Sequence, residues 1–155
     1  MLPSGNDAAV TLMHNFADYG IDFVNSMNGL VATLGLESTQ YANPHGILIS
    51  YVGLFHECNY SSAYDIGKLT YQAMQNIQFA SVVRTKIYFS EIEDKFGEGK
   101  EVFWENTNKM LYNGYRGVKT GITKEAGPCV VEYYEDKDCS YIIVLLNCRS
   151  VEHRW

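Results

Sequence analysis

The sequence predicts an α+β fold in which an antiparallel sheet packs against a helical cluster. Three observations carry this. In the first half, apolar residues recur at spacings of three and four, the period of a helix with one buried face. The second half instead holds short runs rich in β-branched and aromatic residues, bounded by turn formers. Two of these runs, Cys129–Tyr134 and Cys139–Asn147, are separated by Glu135-Asp136-Lys137-Asp138, a four-residue hairpin loop. At 155 residues the chain is the size of one domain. We read it as a single unit over 1–155, mainly helical over 1–80 and mainly sheet over 81–155.

Bulk properties exclude several classes of function. The chain is 46% hydrophobic and 19% charged, an ordinary globular composition. Its net charge of −6 argues against a nucleic-acid partner. No apolar run reaches the length of a membrane span, and no basic-then-apolar leader follows Met1. The four cysteines form no Cys-x-x-Cys pair, so the sequence offers no zinc site and no cofactor motif. They read as free thiols, with a disulfide framework as the alternative. Asn59-Tyr60-Ser61 is a glycosylation sequon, a triplet common by chance.

Each element has its own signal. Asn6 or Asp7 can cap a first helix with Val10, Met13, Phe16 and Ala17 on one face, ended by Tyr19-Gly20. Phe23, Val24, Met27, Leu30, Val31 and Leu34 mark a second helix that stops at Gly35. Residues 37–59 lack periodicity and contain a turn at Asn43-Pro44-His45-Gly46. His14, His45, His56 and His153 have no partner motif and read as structural or solvated. Ser62 can cap a third helix, with Asp65 at the reciprocal position of a capping box and Ala63, Ile66, Leu69, Ala73 and Met74 facing inward. Residues 84–89 read as a strand, 91–101 as a solvated hairpin or loop, 102–104 as a further strand and 106–111 as a partly helical connection. In the final hairpin, Cys139 is expected opposite Tyr134 and Cys129 near Val144. Ile142–Leu146 is apolar on both faces and so requires cover on both.

The chemistry centres on Gly117-Val118-Lys119-Thr120-Gly121-Ile122-Thr123. On a strand, Lys119, Gly121 and Thr123 share one face, with Thr120 and Ile122 on the other. A lysine beside a residue without a side chain suits an anion lying close to backbone. A free strand edge there can also pair with an extended peptide. Ser4-Gly5-Asn6, near the start, supplies a Ser-x-Asn motif. Together with Asn43-Pro44-His45-Gly46, Ser62-Ala63-Tyr64-Asp65 and Asn106-Thr107-Asn108-Lys109, these blocks resemble the D-alanyl-D-alanine carboxypeptidases, the low-molecular-weight penicillin-binding proteins. The resemblance runs through essentially the whole chain.

The resemblance implies the serine β-lactamase/penicillin-binding-protein fold. It implies Ser4 in a proton relay, Asn6 on the substrate amide, and Lys119 with Thr120 on the terminal carboxylate of a D-Ala-D-Ala peptide or β-lactam. Gly121 would give the ligand room, and an oxyanion-hole N–H would lie at Ile122 or Thr123. It also exposes a gap. The family's nucleophile lies in a Ser-x-x-Lys motif upstream of Ser-x-Asn. The residues three before each lysine here are Asp65, Val83, Ile92, Gly97, Asn106, Arg116, Gly121 and Tyr134, none of them serine. The expectation is therefore an incomplete domain, without the nucleophile helix and first strands, inactive as an isolated chain. Another chain or a missing N-terminal segment would complete the sheet. The other reading is a structural subunit of a larger assembly, built on a carboxypeptidase-like relic.

Overall fold

The computed structural model describes residues 1–17, 22–50 and 56–155. The helical half comprises α1 (Asn6–Ala17), α2 (Phe23–Thr33), α3 (Ala63–Met74) and α4 (Ile77–Val83). The strands are β1 (Ile49–Ser50), β2 (His56–Glu57), β3 (Ile87–Glu93), β4 (Gly99–Glu105), β5 (Val118–Thr123), β6 (Gly127–Glu135) and β7 (Ser140–Leu145). All pairings are antiparallel: β1 with β2, β3 with β4, and a three-stranded sheet in the order β5-β6-β7. The α+β fold is thus present, with the Lys-Thr-Gly strand at one border of its main sheet. The expected end of α1 at Tyr19-Gly20 lies outside the described residues.

Several boundaries differ from the sequence reading. α1 is closed at its start by Gly5, whose carbonyl accepts from Ala9 N, while Asn6 and Asp7 lie inside the first turn. Ser62 does cap α3, accepting from Asp65 N at 3.1 Å. The Asp65 carboxylate, however, reaches across to Ser38 N and the Thr39 hydroxyl, both at 2.8 Å. It ties the α2–α3 connection down rather than serving only its own helix. α4 carries too short an apolar stripe to be read from periodicity; Asn76 caps it, and Arg84 ends it where a strand was expected. The β3–β4 hairpin takes up the 91–101 segment, with Asp94 Oδ1 accepting from Phe96 N and Glu98 N in the turn.

In the last hairpin the expected register is off by two residues. Tyr134 faces Tyr141 and Val131 faces Val144. Asp136 explains the shift: its Oδ1 accepts from Asp138 N and Cys139 N, and its own N–H donates to Cys139 O. The loop is therefore Asp136–Cys139, and Cys139 is a turn residue. Tyr134 then stacks on Tyr141, with centroids 5.0 Å apart. Asn59, the sequon residue, is half-buried. Its side chain accepts from Ala42 N and Asn43 N and donates to Asn43 O. A glycan at that nitrogen would displace the bond that holds the Asn43 turn.

One face of the main sheet holds the core. Val118, Thr120, Val130 and Glu132 are buried on it, opposite one another in register. α3 packs against β7 on the sheet's border, where Gly67 approaches Val144. Where α4 meets the start of β5, Val83 is fully buried against Gly117. Gly117 has φ +132°, and a Cβ there would sit 2.8 Å from Val83 Cγ2. Gly117→Ala therefore combines overpacking, typically about 1–3 kcal/mol, with a backbone region reserved for glycine. We expect a loss of at least about 2 kcal/mol in urea denaturation, whereas Gly121→Ala, whose Cβ meets nothing within 4 Å, should lie within about 0.5 kcal/mol of the parent.

Candidate active site

The site begins at the N-terminal segment. Leu2 is buried, and its carbonyl accepts from Thr107 N at 3.2 Å, which pins the chain just before α1. A turn follows, closed by Ser4 N donating to Met1 O. It leaves Ser4 at φ 59°, a left-handed conformation that costs a residue with a side chain about 1–2 kcal/mol. The result is that Ser4 Oγ accepts from Lys119 Nζ at 2.6 Å, across 115 residues of sequence.

Lys119 reaches the cleft from β5. Tyr133 N donates to Gly117 O, so by the two-residue period of an antiparallel ladder Lys119, Gly121 and Thr123 turn their backbone groups toward β6. Thr120 and Ile122 turn theirs to the outer edge, where no strand pairs among the described residues. Lys119 Nζ also donates to the outward carbonyl of Thr120. That leaves the N–H of Ile122 on the open edge. Thr123 pairs with Gly127, and its hydroxyl accepts from Ala126 N to close the β5–β6 turn. Thr120 is buried, and its hydroxyl shares a 2.7 Å hydrogen bond with that of Thr107.

A cleft of about 590 Å³ gathers these groups. Ser4, Asn6, Thr107, Lys119, Thr120, Gly121, Ile122 and Thr123 all line it, so the residues given a site role from the sequence border one cavity. Two further residues were not found by sequence reasoning. His45, read from the sequence as structural or solvated, also borders the cleft, its Nδ1 accepting from Ile47 N at 3.1 Å. Arg154 comes from the short 3-10 turn Glu152–Arg154. Its guanidinium lies 4.7 Å from the Trp155 ring and donates to Gly121 O at 3.2 Å, while its Nε is buried with no partner among the described residues. No motif marks Arg154; only the fold brings the last residues back to β5.

Two cations thus converge on a strand edge beside a glycine. Burial first, and Arg154 second, pull Lys119 below its ordinary lysine value. An incoming anion would relieve both costs, and the unpartnered Arg154 Nε is a donor waiting for an acceptor. A larger cavity of about 660 Å³ lies between α3 and β7, lined by Leu34, Ala63, Tyr64, Tyr71, Ile142 and Val144 among others. Its one charged lining group, Lys68, already donates to Gly35 O at 3.1 Å. Among the described residues, no three His, Cys, Asp or Glu side chains gather to hold a metal, and no helix is long and apolar enough to cross a membrane.

Comparison with known proteins matches this geometry to a family. The D-alanyl-D-alanine carboxypeptidase family model (Peptidase_S11) covers residues 1–150. The chain belongs to the D-alanyl-D-alanine carboxypeptidase family. It is 35% identical over 140 residues to the D-alanyl-D-alanine carboxypeptidase of Streptomyces sp. (strain K15), covering 84% of this chain and 46% of that protein. It is 31% identical over 157 residues to the carboxypeptidase DacF of Bacillus subtilis (strain 168), covering 99% of this chain and 37% of that protein. The crystal structure of the Streptomyces K15 DD-transpeptidase superposes with a TM-score of 0.85 at 34% identity, over 99% of this chain and 60% of that one. Penicillin-binding protein D2 of Listeria monocytogenes, in its cefotaxime-bound form, gives 0.76 at 26% identity, over 97% and 57%. The chain therefore spans less than half of these two carboxypeptidases and carries part of the penicillin-binding-protein fold.

The electrostatic reading of this family cleft can be measured directly. In an NMR titration of lysine Nζ groups, Lys119 should lose its proton below the ordinary lysine range. Arg154→Leu should move that midpoint part of the way back up, because burial is the larger cause. A Lys119 midpoint at the ordinary value in the parent would remove the basis for a converging cation pair.

Proposed function

We propose that this chain supplies the substrate-recognition wall of a serine-type D-Ala-D-Ala carboxypeptidase cleft and does not by itself form an acyl-enzyme. The observation that carries the reading is the 2.6 Å contact between Lys119 Nζ and Ser4 Oγ inside a cleft that also holds Arg154. A terminal carboxylate fits between Lys119 and the Arg154 guanidinium, with the Thr107–Thr120 hydroxyl pair at the cleft floor. The open backbone edge of Thr120 and Ile122 suits an extended peptide, and the Ile122 N–H is placed to take a developing oxyanion. Ser4, hydrogen-bonded to a lysine held below its ordinary value, suits a proton relay. Asn6, on the cleft wall, can orient the substrate amide. Gly121 keeps the approach clear, since a Cβ there would project into empty space.

The nucleophile must then come from elsewhere, because no lysine in this sequence follows a serine by three positions. Removing the nucleophile from such a unit removes nearly all its turnover. We take residues 1–155 as one partial transpeptidase-like unit whose completion also covers β7. Val144 and Ile142 line the 660 Å³ groove beside α3, and Tyr141 and Leu145 are exposed. The natural occupant is a polypeptide carrying the part of the domain that the longer relatives possess and this sequence does not.

Incubating the purified chain with a labelled penicillin should produce no covalent adduct in intact-mass measurement, and light scattering on the same sample should show self-association. A one-adduct mass shift would refute the inactivity. A monodisperse monomer with a cooperative melt would refute the need for a covering partner.

A further inference from the structure

On the sheet face turned away from Lys119, one acid is buried where charge is costly. Glu132 sits mid-strand in β6 and is only 3% exposed. Across the sheet it faces Val118 of β5 and Ile143 of β7. Along its own strand, Val130 and Tyr134 share its face. Asn108, which has no exposed surface, donates from Nδ2 to Glu132 Oε2 at 2.8 Å, while Glu132 Oε1 is buried with no partner among the described residues. Of these neighbours only Tyr134 is titratable, and its hydroxyl is bound to Asp136. An ionised carboxylate offers about four acceptor positions; among the described residues this one has a single side-chain donor and no cation. Asp65, equally buried, shows the contrast: two donors converge on one of its oxygens.

We propose that Glu132 is a positioning residue for the Lys119 cleft, whose protonated carboxyl sets the Asn106–Asn108 turn and whose ionisation loosens it. This goes beyond the proposed function, since it stands on the buried cluster whatever the cleft binds. The path is short. Asn108 follows Thr107, whose hydroxyl holds Thr120 at 2.7 Å and whose N–H holds Leu2 O at 3.2 Å. Asn108 thus joins Glu132 to the two segments that carry Lys119 and Ser4. With the carboxyl neutral, a single amide donor is enough. With it charged, a buried anion faces one donor and apolar strands, and only movement of the turn or entry of water relieves it.

Burial is the larger influence on this group and the Asn108 bond the smaller, opposing one; together they push the carboxyl up to about 7. The sign follows. An unfolded glutamate releases its proton near 4.5 and the folded one near 7, so the folded state binds the extra proton between those values. The stabilisation is complete below that window and is lost as pH rises through about 7.

Carboxyl ¹³C NMR on the full chain, with backbone amides followed in parallel, tests this. The Glu132 carboxyl carbon should titrate with a midpoint of about 7, well above an ordinary glutamate. The amides of Thr107, Asn108 and Thr120 should move with the same midpoint, and Glu132→Gln should flatten all of them. A group that merely fills space would leave the Thr120 amide indifferent to pH. A Glu132 midpoint in the ordinary carboxyl range, or amide shifts that persist in E132Q, overturns the proposal. If E132Q does not fold, the parent titration decides alone: a shared midpoint supports the proposal, and separate midpoints overturn it.

Discussion

Residues Asn106, Thr107 and Asn108 carry the contacts that bring the two ends of this chain to one place. Asn106 N donates to Lys86 O, and its side-chain amide donates to Val83 O and Thr85 O, which fixes the turn to the end of α4. Its Oδ1 accepts from Asn108 N, and Asn108 Oδ1 accepts from Met110 N, so the turn is built largely from its own side chains. Between the two asparagines, Thr107 faces the cleft with both its backbone and its hydroxyl. Asn106 and Asn108 are buried, and a buried amide that loses its partners costs about 1–3 kcal/mol. The turn is therefore rigid for a reason of polar satisfaction rather than of apolar packing.

The cleft inherits its geometry from that rigidity. Ser4 is held in a left-handed conformation, which a free N-terminal segment would not keep. Leu2, clamped to Thr107, over-determines it. Lys119 is drawn out of solvent next to Arg154, an arrangement of like charges that favours neither residue alone. Both costs make sense in a site designed to receive an anion. The strand edge beside them presents backbone groups that a peptide can meet, and Gly121 leaves the approach free. In the function we propose, the part of the family's chemistry resident in this chain is recognition.

How much of this was legible in the sequence varied with the kind of signal. Lys-Thr-Gly and Ser-x-Asn are local patterns that carried much of the family resemblance, while the α+β class followed from hydrophobic periodicity and the hairpin loop. α4 escaped because seven residues make too few turns for a periodicity. The β6–β7 register escaped because Asp136 turns the chain one residue later than the polar run suggests, which moves the pairing by two, a hydrogen-bond preference that composition does not reveal. Arg154 and His45 escaped for a different reason: neither stands in a motif whose spacing points at Lys119, and only folding brings them to the cleft. Glu132 looked like one polar residue in a strand. Its burial depends on which face the register gives it, a property of the whole sheet.

The central claim is that one turn couples the Ser4 segment to the Lys-Thr-Gly strand. Hydrogen exchange on the chain carrying Asn106→Ala tests it most directly, because Asn106 touches neither Ser4 nor Lys119 through any hydrogen bond among the described residues. The account predicts that protection falls together at Thr107 and Asn108, at the Ser4 amide that closes the N-terminal turn, and at the Lys119 and Gly121 amides that face β6, while the β6–β7 hairpin stays protected. Loss confined to residues 106–108, with Ser4 and the β5 strand exchanging as in the parent, would contradict it.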